Sequence, residues 1–226
     1  MGSPKICVVI TASDMEGVLE TARRIEALNP DFIEVRLDYI EGTPDLYEIR
    51  GASRLPMIAT NRGTDHGGLS TDPDSDRVEM LLNACEVGFE YADVELDLMK
   101  VSNVAVEVRD RGAQTIISHH DFMCTPEKRS LNHIMKRMII AGADICKIVG
   151  MSNTPRDNLR YLNLIQENLD VNLVCFGMGE TGLLSRVFSP VFGGAFTYAS
   201  TERGRESAPG QLTIAELRQI YALMGV

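Results

Sequence analysis

The chain has 226 residues, 44% of them hydrophobic, enough for one large buried core and close to the size of a single α/β barrel. Thirty-two acidic residues against 22 basic ones leave a net charge of −10, a field that repels nucleic acid phosphates and anionic membrane surfaces, so neither is an expected partner. No apolar run approaches the ~20 residues that span a bilayer, and the opening MGSPKICVVI lacks the long apolar region of a signal peptide. Five cysteines, Cys7, Cys85, Cys124, Cys146 and Cys175, include no C-x-x-C pair and mostly sit in apolar runs; they read as buried, reduced thiols of a cytoplasmic protein.

Short β-branched runs alternate with segments of helical period. Residues 5–11 form the first expected strand, and Val18, Leu19, Ala22 and Ile25 then share a helix face. Strands at 32–38 and 57–61 come next, followed by a helix with Val78, Leu81, Leu82 and Cys85 on one side. Strands at 91–96 and 114–118 precede a helix that opens at Thr125-Pro126, buries Leu131, Ile134, Met135, Met138 and Ile139, and stops at Gly142. Residues 144–149, 171–176 and 195–198 complete eight strands. Thr213 and Glu216 form a capping box for the last helix, Leu212 and Leu217 can staple it, and Leu217, Ile220, Tyr221 and Met224 make its buried stripe. Eight strand-helix units point to a (β/α)₈ TIM barrel of α/β class, one domain over 1–226, with a doubly wound open sheet as the alternative.

In a barrel, chemistry sits at the carboxyl ends of the strands, so ionisable residues there need an explanation. On the second strand, DFIEVRLD, the side chains of Glu34, Arg36 and Asp38 share a face, either as a buried ion-pair layer or as a polar clamp for a hydroxylated ligand. Arg62 and His66 lie in the glycine-rich TNRGTDHGG, which has neither Walker nor dinucleotide spacing. The fifth strand runs into SHHDF. Adjacent histidines point apart on a strand and no zinc spacing accompanies them, so one histidine as a proton carrier is the better reading than a metal site. Lys147, in ADICKIVG, is either salt-bridged to an inward carboxylate such as Glu34 or an amine nucleophile whose pKa is lowered by apolar walls. GMGETGLLSR and SAPGQ add Arg186, Ser207 and Gln211; Gly193 and Gly194 read as close packing rather than a phosphate site.

The ordered motifs E-V-R-L-D, T-N-R-x4-G-G, S-x-H-D-F, D-I-x-K-I, M-G-x-x-G-x-x-S-R and S-A-P-G-Q together resemble those of type I 3-dehydroquinate dehydratases along nearly the whole chain. The resemblance implies a barrel hydro-lyase of the shikimate pathway that turns 3-dehydroquinate into 3-dehydroshikimate and water, with no metal or organic cofactor. It assigns Lys147 to the imine, His120 to general acid-base work and Arg186 to the substrate carboxylate. Glu34, Arg36, Arg62, Ser207 and Gln211 match substrate-contacting positions, and STERGRESAPGQ resembles a loop that closes over the site. One position departs from the family pattern: His66 stands where a glutamate is usual, which bears on the pH optimum through His120. A homodimer is one assembly open to such a chain. Two rivals share parts of the pattern, another imine-forming barrel of class I aldolase type and a barrel that binds ligand without turnover; the first leaves SAPGQ and SHHDF unexplained, and the second has no reason to keep both Lys147 and His120.

Overall fold

The computed structural model describes residues 3–226, so the first two residues of the expected 1–226 domain lie outside the described ones. Eight parallel strands alternate with eight α-helices in the order β1 (Ile6–Ile10), α1 (Met15–Leu28), β2 (Phe32–Arg36), α2 (Leu46–Gly51), β3 (Met57–Thr60), α3 (Asp74–Glu86), β4 (Tyr91–Glu95), α4 (Val101–Asp110), β5 (Gln114–Asp121), α5 (Lys128–Ala141), β6 (Ile145–Met151), α6 (Asp157–Gln166), β7 (Leu173–Met178), α7 (Leu183–Phe188), β8 (Thr197–Ala199) and α8 (Ile214–Met224). From β1 to β7 each strand pairs with its sequence neighbours, and β8 pairs with β1 (Ile6↔Thr197, Cys7↔Tyr198). On the remaining seam the Ala195 N–H donates to the Leu173 carbonyl at 2.7 Å, nearly closing a TIM barrel and excluding the open doubly wound sheet.

The strand period of two sorts the apolar residues into two cores. Ile6, Val8 and Ile10 point outward and pack with Val18, Ala22 and Ile25 of α1, while Cys7 and Val9 point inward to meet Ile58, Ile116, Val174, Phe176 and Phe196. Such burial contributes ~1.5–3 kcal/mol per large aliphatic side chain. The α8 capping box forms as expected, with Glu216 N–H donating to Thr213 Oγ1 at 3.2 Å and Thr213 N–H donating back to Glu216 at 2.9 Å.

Several expectations need correction. The second strand ends at Arg36, and Leu37–Tyr39 is a turn of 3₁₀ helix, so Asp38 is not on the strand face. Helix α5 begins at Lys128, because Thr125 instead donates its hydroxyl to the Met151 carbonyl at the end of β6. Ile139 and Met224 are exposed and leave their helices' buried stripes, and Cys124 is an exposed thiol whereas the other four cysteines are buried. Among the described residues no helix is long and apolar enough to cross a membrane.

Candidate active site

All eight residues singled out for catalysis or binding line one pocket at the carboxyl ends of the strands: Glu34, Arg36, Arg62, His120, Lys147, Arg186, Ser207 and Gln211 surround about 550 Å³ of empty space. Strand geometry explains the convergence. In β5 the Ser118 side chain faces inward, so His120 does too, while His119 turns to the opposite side and lies 3.8 Å from Asp97. In β6 the neighbours Cys146 and Ile148 pack outward against the helices, which leaves Lys147 facing the interior at 6% exposure.

Of the two settings expected for Lys147, the ion-paired one is found. Its Nζ donates to Asp93 Oδ2 at 2.8 Å and lies 3.7 Å from Glu34 Oε1, and it sits 4.4 Å from the centre of the Tyr198 ring. Asp93 also receives Arg62 Nη2 at 2.7 Å and the Ser118 hydroxyl at 2.6 Å. Burial pushes the Asp93 carboxyl up, but Arg62, Lys147 and the bonded Ser118 outweigh it and hold it well below the usual carboxylate range. Behind this group, Glu95 joins Arg62 at 3.7 Å to the buried Arg77 at 2.9 Å. Asp93, Glu95 and Arg77 are not among the site residues expected from the sequence. Alternation along Tyr91–Glu95 places both carboxylates on one face, as it does Glu34 and Arg36 on β2, two strands away.

His120 is half-buried. Burial, then the cations Arg62 and Lys147, lowers its pKa well below the ordinary imidazole value, and its Nδ1 is sealed without a hydrogen-bond partner among the described residues. Phe122 stacks on the imidazole with ring centres 6.1 Å apart, and a Cβ on Gly67 would strike that phenyl ring. At Gly68 a Cβ would run into the Arg62 carbonyl. The paired glycines therefore let the loop carrying His66, itself a pocket residue, fold tightly beside β3. Asp38, although off the strand, binds Arg36 through two bonds of 2.9 and 2.6 Å and accepts the Leu69 N–H at 3.0 Å, so it orients the arginine and tethers the loop.

Arg186 is different from the other pocket arginines. It is 1% exposed, has no carboxylate partner among the described residues, and keeps Nε and Nη2 buried without hydrogen bonds. Burial pulls its guanidinium down to about 10. The group lies over the Phe176 ring at 4.4 Å. It reaches this position because Gly177 and Gly182 pack backbone to backbone, where a Cβ on either would collide, and the Gly177 N–H donates to Ser185 Oγ at 2.9 Å. A buried cation without an anion is a site built for one.

The segment after β8 lies over the mouth. A bridge between Ser200 and Thr213 joins its ends, and Gly179 N–H donates to the Pro209 carbonyl at 3.1 Å. Within it the Ser207 N–H and hydroxyl donate to Gln211 Oε1 at 2.7 and 3.2 Å, which leaves Gln211 Nε2 buried with unused donors. Gly193 and Gly194 lie away from the pocket, with Gly194 against the Ser189 backbone, in keeping with close packing. Among the described residues no three His, Cys, Asp or Glu side chains are grouped as metal ligands.

Known proteins resemble this chain in both sequence and fold. A 3-dehydroquinate dehydratase of Dehalococcoides mccartyi is 34% identical over 221 residues, covering 98% of this chain and 96% of its own. One from Thermococcus gammatolerans is 37% identical over 206 residues, covering 91% and 93%. Among solved structures, the type I enzyme of Clostridium difficile with covalently modified comenic acid superposes with a TM-score of 0.91 at 28% identity, over 99% of this chain and 93% of that one. The model of the type I 3-dehydroquinase family matches residues 6–226. With that match from β1 to the C-terminus, the chain belongs to the type I 3-dehydroquinase family.

Proposed function

We infer that this protein is a hydro-lyase that converts 3-dehydroquinate into 3-dehydroshikimate and water through an imine on Lys147. The observation that carries the reading is the meeting in one pocket of a buried lysine, a histidine and a buried arginine that has no carboxylate partner among the described residues. The substrate carboxylate docks on Arg186, supplying the missing anion through charge-assisted hydrogen bonds. Glu34, Arg36, Arg62, Ser207 and Gln211 contact the ring hydroxyls and the carboxylate. Lys147 passes an ammonium proton to His120 and adds as the amine to the C3 ketone; His120 returns that proton to the carbinolamine hydroxyl, which leaves as water and gives an iminium with His120 again neutral. The iminium draws electrons from the C2–H bond as His120 takes the proton, giving an enamine. His120 then returns that proton to the C1 hydroxyl, which leaves as water, and hydrolysis of the conjugated iminium frees product and Lys147. The iminium is the electron sink, so the chemistry calls for no metal or organic cofactor.

A cytoplasmic setting accords with this reading, since the thiols of Cys7, Cys85, Cys146 and Cys175 are buried and unbridged. The test is to add 3-dehydroquinate, follow the ultraviolet absorption of the conjugated product, and trap the intermediate with borohydride. The adduct should map to the peptide containing Lys147, and Lys147→Arg should lose both trapping and turnover because guanidinium does not condense with the ketone. An adduct on another lysine, or activity lost on treatment with a chelator, would overturn the mechanism.

A further inference from the structure

Tyr198 has no part in the mechanism above, yet it lies against the proposed nucleophile. Its ring centre is 4.4 Å from Lys147 Nζ, it lines the same pocket, and only 4% of it is exposed. The bland explanation is core packing, and the ring does meet Phe196 and Phe176 edge-on at 5.4 and 6.2 Å. Packing accounts for the ring but not for the oxygen. The Tyr198 hydroxyl is buried without a hydrogen-bond partner among the described residues, whereas the buried Tyr221 donates its hydroxyl to the Val187 carbonyl at 2.9 Å. A phenylalanine would fill the same volume without stranding a polar group.

Building on the imine reading, we propose that Tyr198 is a further residue of the catalytic centre: its ring face steadies positive charge on Lys147 Nζ, and its hydroxyl donates a hydrogen bond to the substrate oxygen on the carbon that Lys147 attacks. The chemistry of the addition creates the need. As the amine bonds to the ketone carbon, the carbonyl π electrons move onto oxygen, and that oxygen is attached to the same carbon as Nζ. A donor beside Lys147 meets the developing charge, and the cationic iminium that follows keeps its attraction to the aromatic face. The phenol remains a donor through these steps, since burial and then Glu34 push its ionisation well above the usual phenol range. It does not compete with His120 for the C2 proton.

The test compares the native protein with Tyr198→Phe, which keeps the ring, and Tyr198→Leu, which loses it. Rapid mixing with 3-dehydroquinate and quenching in borohydride reads the rate of adduct formation, alongside kcat, KM and Tm. Tyr198→Phe should form the adduct and turn over roughly tenfold more slowly with KM within about twofold of native, and Tyr198→Leu should be slower again. The Tm of Tyr198→Phe should be unchanged or raised, because the stranded hydroxyl is gone. Native rates of trapping and turnover in Tyr198→Phe would overturn the proposal, as would a slower kcat accompanied by a lowered Tm and an unchanged trapping rate. Failure to trap any adduct in the native protein would instead remove the imine reading on which this one rests.

Discussion

Replacing Arg186 by methionine should make the protein more stable and nearly inactive at once. Burial holds the guanidinium down to about 10, a difference from its ordinary value that corresponds to roughly 3 kcal/mol against the charged folded state. The sign follows from linkage: the folded pKa is the lower one, so the folded state is penalised fully below about pH 10, and the penalty fades only as the pH rises past that value. Methionine has a similar reach and removes the charge. It also forfeits the contact with Phe176, worth ~1–2 kcal/mol when desolvated, so the net gain is about 1–2 kcal/mol. For a chain of this length that raises Tm by roughly 2–8 °C. Loss of the buried carboxylate partner should lower kcat/KM by about 10²–10³-fold. Thermal unfolding and the product absorbance assay measure the two effects, and a carboxylate-bearing substrate analogue should raise the Tm of the native protein but not that of the variant. A variant less stable than native that kept kcat/KM within about threefold would refute the argument and make Arg186 a packing residue.

His120→Ala should suppress turnover by about 10²–10⁴-fold while His119→Ala, on the outer side of β5, does far less; greater sensitivity at His119 would contradict the strand register. Because the folded pKa of His120 is lowered, kcat/KM should hold steady through neutral pH and fall only below the ordinary histidine range. The same shift means that stability is present above the unfolded pKa and declines as the pH drops through ~6.5 toward the folded value, an acid loss that His120→Ala should lessen in pH-dependent unfolding. Asp93→Asn removes the anion shared by Lys147 and Arg62, and should lower stability by ~3–5 kcal/mol in denaturant titration as well as abolish turnover. A wild-type unfolding midpoint in that variant would mean the cluster is not electrostatically anchored through Asp93.

Much of the molecule is legible along the chain because it depends on local periodicity. Alternation in Glu34-Val35-Arg36 assigns faces before any fold is known, and the Thr213–Glu216 capping box follows from spacing along a helix. Lys147 stands out because a cation amid β-branched residues is anomalous wherever the strand ends up, and the family motifs then select the chemistry. Partnership is another matter. Nothing within ADICKIVG indicates that Lys147 meets Asp93 more closely than Glu34, since that choice depends on how eight strands are staggered around a closed barrel. Asp38 likewise reads as a strand residue until the chain turns at Leu37, and only then does its carboxylate reach Arg36 and Leu69. The free cation at Arg186 and the stranded hydroxyl of Tyr198 are properties of burial and of absent neighbours, which a one-dimensional pattern does not encode. Residue type and period determine which side chains enter the barrel; closure of the barrel decides which of them are satisfied there and which remain for a ligand.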